Sequence, residues 1–370
     1  MKRRDLIFGL AAMAGLAPFR LPAATDSASA IHYLSVRGDR QRRYYLSGID
    51  AEGRLRFDLP LPARAHGIAI HPAGEQALVL ARRPGSYLQP VDLLRGKLLE
   101  PLSCRQDRHL YGHGLYSPDG SRFYTTENDF DAGRGVIAVR EVAQGYRQIG
   151  EIDSQGIGPH ELCLLSDGET LVVANGGIRT HPDLGRIPLN LESMTPSLVY
   201  LDRNSGNLLD KLTLQPALHQ CSIRHLAIGS RDRVCFVMQF QGPLLEHPPL
   251  VGLHRRGEAV QLLEAPTDIQ NALHNYCGSV CADTSGECFA VSSPRGNLVT
   301  FWRGDDGAFL GEAQVEDVCG LAPCASAGEF MLSSGVGGLY HYRLSDRQLI
   351  RLTADNATGL LWDNHLARLA

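Results

Sequence analysis

From residue 30 onward the chain alternates short apolar runs with turns, and the period is that of strands. Ile31–Val36, Tyr44–Ile49 and Leu55–Leu59 are rich in β-branched and aromatic residues and are separated by glycine or charged residues. A larger unit then repeats: His66-Gly-Ile-Ala-Ile-His-Pro, His113-Gly-Leu-Tyr-Ser-Pro-Asp-Gly, His160-Glu-Leu-Cys-Leu-Leu-Ser-Asp-Gly and His225-Leu-Ala-Ile-Gly-Ser-Arg-Asp. Each histidine opens an apolar run that ends in a turn, and a second β-rich run follows, such as Ala77–Ala81 or Phe123–Thr126. By subtraction the histidines are 47, 47 and 65 residues apart, which suits the blades of a β-propeller. Equivalent starts at His66, His113, His160, His225, Gly278, Cys319 and Thr358 predict seven blades of roughly 49 residues each.

The expected architecture is therefore all-β, a single propeller over residues 31–370. The three N-terminal runs lack an inner strand, and Ala357–Asp363 lacks outer ones, so the two ends are expected to pair and close the ring. The largest insertion, residues 176–196, falls between the second and third strands of its blade. Residues 129–135 and 241–248 hold comparable positions, so all three loops should crown one mouth of the channel. Only residues 268–274 suggest a helix, and a short one.

Composition changes this picture little. A formal charge of −4 gives no reason to expect nucleic acid or an acidic membrane as partner. The N-terminus is more telling. Lys2-Arg3-Arg4 precedes an apolar stretch to Phe19, and Ala28-Ser-Ala30 is a cleavage-like site. Residues 1–30 are expected to be a twin-arginine (Tat) export signal, placing the protein in the periplasm, with no stable membrane span after removal. The nine cysteines include no C-x-x-C pair, which argues against a zinc ribbon, a thioredoxin-like centre or attached c-type haem. Disulfides among Cys277, Cys281, Cys319 and Cys324 and buried thiols both stay open.

Inner strands line a propeller's channel, so one histidine at the same height on successive blades should converge with the others. His66, His113, His160 and His225 are candidate ligands for iron, copper or zinc. Glu161 adds a carboxylate, and Cys319 occupies the same column by alignment of Val318-Cys-Gly-Leu with Gly112-His-Gly-Leu. A histidine column that merely bonds the carbonyls of neighbouring blades is the competing reading. At the ends of second strands, or beside them, stand Arg82, Arg83, Glu127, Asn128, Asn175, Arg179, Gln239 and Arg295, with Arg224 before His225 and His181 in a crown loop. Together they are expected to form a funnel for a small anionic ligand, although any one arginine serves equally well in inter-blade ion pairs. His71, His109, His219, His254 and His341 share no column. No Gly-x-Ser-x-Gly elbow, P-loop or H-E-x-x-H is present, and Ser292 has no evident histidine partner.

Long motifs support a family resemblance: Ala65-His-Gly-Ile-Ala-Ile-His-Pro72, Tyr111-Gly-His-Gly114, Tyr124-Thr-Thr-Glu-Asn-Asp129, Gly158-Pro-His-Glu161, Val173-Ala-Asn-Gly-Gly-Ile-Arg-Thr-His-Pro182, Arg224-His225 and Trp362-Asp-Asn-His365. The chain resembles the bacterial exported family called domain of unknown function 1513, itself similar to seven-bladed YVTN/quinoprotein-like propellers. That resemblance implies a role in periplasmic iron or metal acquisition beside imelysin-like partners. The expected function is binding of a metal ion or anionic metal complex in the funnel. A metal-assisted hydrolase or lactonase acting on a small organic acid, and a protein-interaction scaffold, are the alternatives.

Overall fold

A computed structural model describes residues 30–352 and 359–369; the expected export signal lies outside the described residues, apart from Ala30. The described residues form seven antiparallel sheets, six of four strands and one of five, with one short α-helix at Thr267–Ala272. Each sheet is a blade whose innermost strand lies at the axis. These strands are Ala65–Ile70, Arg108–Tyr116, Pro159–Leu164, Cys221–Ile228, Ser279–Ala282, Val318–Pro323 and Leu361–Arg368, in blades one to seven.

The seventh blade joins the chain ends. Leu361–Arg368 pairs antiparallel with Tyr33–Gly38, which pairs with Tyr44–Ile49 and then Leu55–Leu61. Closure follows the expected scheme, but the inner strand begins later than the sequence suggested. Gly38 pairs with Leu361 and Tyr33 with Arg368, while Ala357 and Thr358 lie outside the described residues. The column position of this blade thus belongs to His365. Trp362 and Leu366 sink into the core beside Tyr33, Ile49 and Met331.

Burial explains why the middle strands are apolar throughout instead of alternating. Thr170–Asn175 is buried along its whole length and Gln76–Ala81 nearly so, because neighbouring blades cover both faces of the sheet. The outermost strand Leu208–Thr213 has only one covered face and alternates. The largest apolar cluster runs through blades three to five, with Tyr200, Phe236, Phe289 and Trp302 at its centre. Gly252 lies opposite Phe236 in the register, and the aromatic ring occupies the space a side chain would need.

The three crown loops stand where the sequence placed them, between second and third strands of blades two, three and four. Arg186 and Pro188 of the long insertion, and Gln241 of the third loop, reach over the axial cavity. All nine cysteines are unpaired thiols, so no disulfide joins the blades.

Candidate metal centre and arginine basin

Each histidine-bearing inner strand is irregular at its histidine. The ladder shifts between Ala65 and Ile68, between the partners of Leu110 and Gly114, between Pro159 and Glu161, between Ile223 and His225, and between the partners of Trp362 and Leu366. A bulge re-aims a side chain without ending the strand, and here it accompanies an imidazole at the axis five times. Blade five, whose inner strand pairs regularly, carries no histidine, and blade six has the ladder shift with Cys319 in place of one. At the second bulge Gly112 takes φ 107°, and a Cβ there would lie 2.7 Å from Cδ2 of His66. Hydroxyls pin the distorted backbone. Thr126 Oγ1 lies 3.2 Å from the carbonyl oxygens of both His113 and His160, and Ser35 donates to that of His365 at 2.8 Å.

The imidazoles of His66, His113, His160 and His225 come from four successive blades, and one ring nitrogen from each lies within 4.8 Å of the others. Ligands on opposite sides of one ion stand about 4.2 Å apart, twice a metal–nitrogen bond of about 2.1 Å. A small contraction brings these four to that span. His365, from the blade that closes the ring, joins them: its Nε2 lies 3.3 Å from Nε2 of His66, and its ring centroid is 4.7 Å from that of His113. Buried ring nitrogens of His66 (Nδ1), His113 (Nε2) and His160 (Nδ1) have no hydrogen-bond partner. Buried polar atoms are seldom left so, and partnerless nitrogens on three rings of one cluster call for a partner that the protein does not supply.

Burial drives the pKa values of His66, His113, His160 and His365 well below the ordinary imidazole range. His225 is pushed down to about 3 by burial, then by Arg224. All five are therefore neutral, the form that binds metals.

Glu161 stands behind the rings. Its carboxylate accepts from Nδ1 of His225 at 2.9 Å and from the Leu226 amide, and it lies 3.4 Å from Nδ1 of His113. This turns Nε2 of both histidines to the axis, the arrangement by which a carboxylate orients a ligating imidazole. Glu161 is not among the four converging ligand atoms; the bulge at Pro159/Glu161 accompanies its reach across to His225 and Leu226 of blade four. Cys319 is likewise outside the converging atoms. Its sulfur is held 3.2 Å from the carbonyl oxygen of Asp317, and burial raises its thiol far above the ordinary range.

Above the histidines a narrow neck of about 30 Å³ opens into a basin of about 690 Å³. The two share Arg82, Arg83, Arg186, Arg224, Gln239, Tyr276 and Asn364. The basin wall holds seven arginines against three aspartates, in a chain whose net charge is −4. Arg64 is paired, its Nε 2.6 Å from Asp363. Arg82, Arg83 and Arg186 have depressed pKa values, through burial and then neighbouring guanidinium groups or, for Arg83, despite Tyr111 beside it. Arg224 is lowered to about 9 by burial and then by Arg83.

Of the residues expected to line the funnel, Arg83, Arg224 and Arg295 do so, with Arg295 packed 4.4 Å over the ring of Tyr276. The others hold the scaffold. Glu127 is buried in an ion pair with Arg140 at 2.8 Å; Asn128 bonds Nε2 of His109 and the carbonyl of Thr180; Asn175 donates to the Ser154 carbonyl at 2.8 Å. Strand ends leave backbone groups that must be satisfied, and the two asparagines do that. Arg179 and His181 line a separate recess of about 60 Å³ beside Phe130 and Gly133.

Sequence reasoning missed His365, Arg64 and Arg186 as site residues. For His365 a signal existed: His365-Leu-Ala repeats His225-Leu-Ala, against no such match at Thr358. Arg186 lies in an insertion without counterpart in other blades, so no repeat could reveal it.

Fold and site together define a seven-bladed propeller with a histidine cluster on its axis and an arginine-rich basin above. The chain belongs to the family described as protein of unknown function (DUF1513), whose model matches residues 59–369. Among solved structures it is similar to Kuenenia stuttgartiensis hydrazine synthase, with 15% identity and a TM-score of 0.59 over 92% of this chain and 100% of that one. It is also similar to a chain of the mitotic checkpoint complex, with 12% identity and a TM-score of 0.56 over 95% of this chain and 88% of that one. At these identities the likeness is one of fold. No curated protein matches the sequence. Among the described residues no helix is long and apolar enough to cross a membrane.

Proposed function

We propose that this protein binds a divalent first-row transition-metal ion on its axial histidines, as an accessory to iron or other metal acquisition in the periplasm. The observation that carries the reading is the convergence of five neutral, buried imidazoles, three with orphaned nitrogens, braced by one carboxylate. Imidazole suits iron, copper, zinc and nickel, and with Cys319 turned away no thiolate favours copper(I). Arg3-Arg4 ahead of an apolar stretch supports export by the Tat route. An imelysin-like periplasmic partner remains part of this proposal through the family resemblance.

The test is metal content by elemental analysis of the protein purified from the periplasm, beside a His113→Ala/His160→Ala variant. The parent should retain about one ion per chain and the double variant almost none, with unchanged far-ultraviolet circular dichroism. The fold should persist because the strands are held by blade cores and not by the ion. Equal metal content in the two proteins would refute the site.

A metal-assisted hydrolase is the second reading. The neck, lined by His66, His160 and His225, has room for about one water, and an ion held by these histidines would supply activation of such a water. Turnover of a lactone panel by the metal-loaded parent, absent in the double variant, separates the two.

A further inference from the structure

We infer that the basin is a binding site for a small organic anion carrying two or more carboxylates, one of them directed down the neck toward the histidines. This deepens the metal-binding reading and rests on it only for that last contact. The first ground is uncompensated charge. Arg82 Nη1, Arg83 Nη1 and Arg224 Nε are buried without a hydrogen-bond partner. A guanidinium cannot shed its proton to escape burial, and no aspartate of the basin wall pairs with these three: Asp363 is committed to Arg64 and Asp39 to Arg43, each at 2.6 Å, while Asp317 takes the Cys319 thiol. What is missing is an anion.

The second ground is size and shape. At about 690 Å³ the basin falls in the range of small-molecule sites, and is far larger than an inorganic oxyanion requires. Its cations come from separate parts of the ring: Arg82 and Arg83 follow the second strand of blade one, Arg186 lies in the blade-three insertion, and Arg224 is on the inner strand of blade four. Arg82, Arg83, Arg186 and Arg224 all border the neck, which one carboxylate can enter, whereas Arg42 and Arg295 border only the wider basin, so a carbon frame with further carboxylates engages both sets. Planar guanidinium forks pair with carboxylates through two parallel hydrogen bonds. Tyr276 and Trp362 supply wall for the frame.

The experiment is titration calorimetry at low salt on the full chain freed of metal with a chelating resin, using citrate, acetate and inorganic phosphate as probes. Citrate should bind at least tenfold more tightly than acetate or phosphate. Arg83→Gln/Arg186→Gln should weaken citrate at least tenfold. Arg186→Gln alone, in a loop outside the blade cores, should weaken it severalfold and guards against misfolding of the double variant. Arg179→Gln, in the separate recess, should leave it unchanged. No citrate binding by the parent, phosphate binding as tight as citrate, or indifference to both arginine variants would overturn the inference. The His113→Ala/His160→Ala variant keeps the two readings apart. The variant should lose metal yet still bind citrate; citrate bound by a parent that takes up no metal refutes the metal centre alone, and metal bound by a parent that takes no citrate refutes the basin alone.

Discussion

At the scale of single residues, the site is built by side chains whose neighbours leave them one useful orientation. Glu161 is the clearest instance, because its oxygens engage the outer nitrogens of His225 and His113 and so turn the inner ones to the axis. Glu161→Gln keeps the shape but loses the charge, and metal affinity should fall about 10- to 100-fold with little change in melting temperature. Competition titration with zinc against a coloured chelator measures this; an unchanged affinity would mean that the carboxylate only fills space. Two histidines away from the axis give a different prediction. His254 accepts from the Tyr200 hydroxyl at Nδ1 and donates from Nε2 to the Glu258 carbonyl, while His109 donates to the Leu110 carbonyl and accepts from Asn128. Both have pKa values lowered chiefly by burial. The unfolded chain takes up protons near pH 6.5 that the folded chain refuses, so the stability these groups lend is present above that pH and lost as pH falls below it. Each contributes at most about 1.4 kcal/mol per pH unit. Urea midpoints at pH 7.5 and 5.0 should differ less in His109→Gln/His254→Gln than in the parent, and an equal difference would reject the assignment.

At the scale of the strand, the bulge is the working element. Regular pairing fixes which side chains share a face, and the ladder shift at each histidine re-aims that one side chain within its strand. Gly112 is the position where this is most constrained, with φ 107° and the His66 side chain where a Cβ would stand. Gly112→Ala forces a side chain into a left-handed conformation at about 1–3 kcal/mol and displaces His66. We expect a melting temperature lowered by a few degrees and at least a tenfold loss of metal affinity; wild-type affinity would show that His66 is dispensable. The same elements show what was readable beforehand. The blade count, the three N-terminal strands and the crown loops follow from apolar runs and turns, which report local backbone preference. The four histidines of blades one to four were legible because each opens its repeat. His365 was harder, since the seventh inner strand starts three residues after Thr358 and no outer strands follow it to set the frame. Glu127, Asn128 and Asn175 share the sequence address of Arg83, and no repeat distinguishes a strand-end side chain that bonds the scaffold from one facing a cavity. Arginine pairing is likewise decided across blades, by groups such as Asp363 and Arg64 that lie 299 positions apart.

At the scale of the whole molecule, the ring makes the last strand indispensable to both fold and site. Leu361–Arg368 buries Trp362 and Leu366, receives the Ser35 bond at His365, and carries Asp363 to pair with Arg64 at the basin wall. It also packs between the inner strands of blades six and one, so removing it uncovers a face of each and leaves Tyr33–Gly38 with an unpaired edge. Losing one buried tryptophan and one leucine costs about 5 kcal/mol or more by comparison with large-to-small core substitutions. At about 2 °C per kcal/mol for a large domain, deletion of residues 361–370 should lower the melting temperature by about 10 °C or prevent folding. A milder variant separates closure from ligation: His365→Ala leaves the strand, its pairing and Trp362 in place. It should melt within a few degrees of the parent yet gain less stability on adding zinc, because the stabilisation by an ion grows with its affinity for the folded state. Differential scanning calorimetry of the parent, the truncation and His365→Ala, each with zinc and with a chelator, reads both effects. A truncated chain that melts like the parent would contradict closure of the ring through this strand. A His365→Ala protein with the parent's full zinc shift would remove the seventh blade from the metal centre and leave its histidine a packing residue.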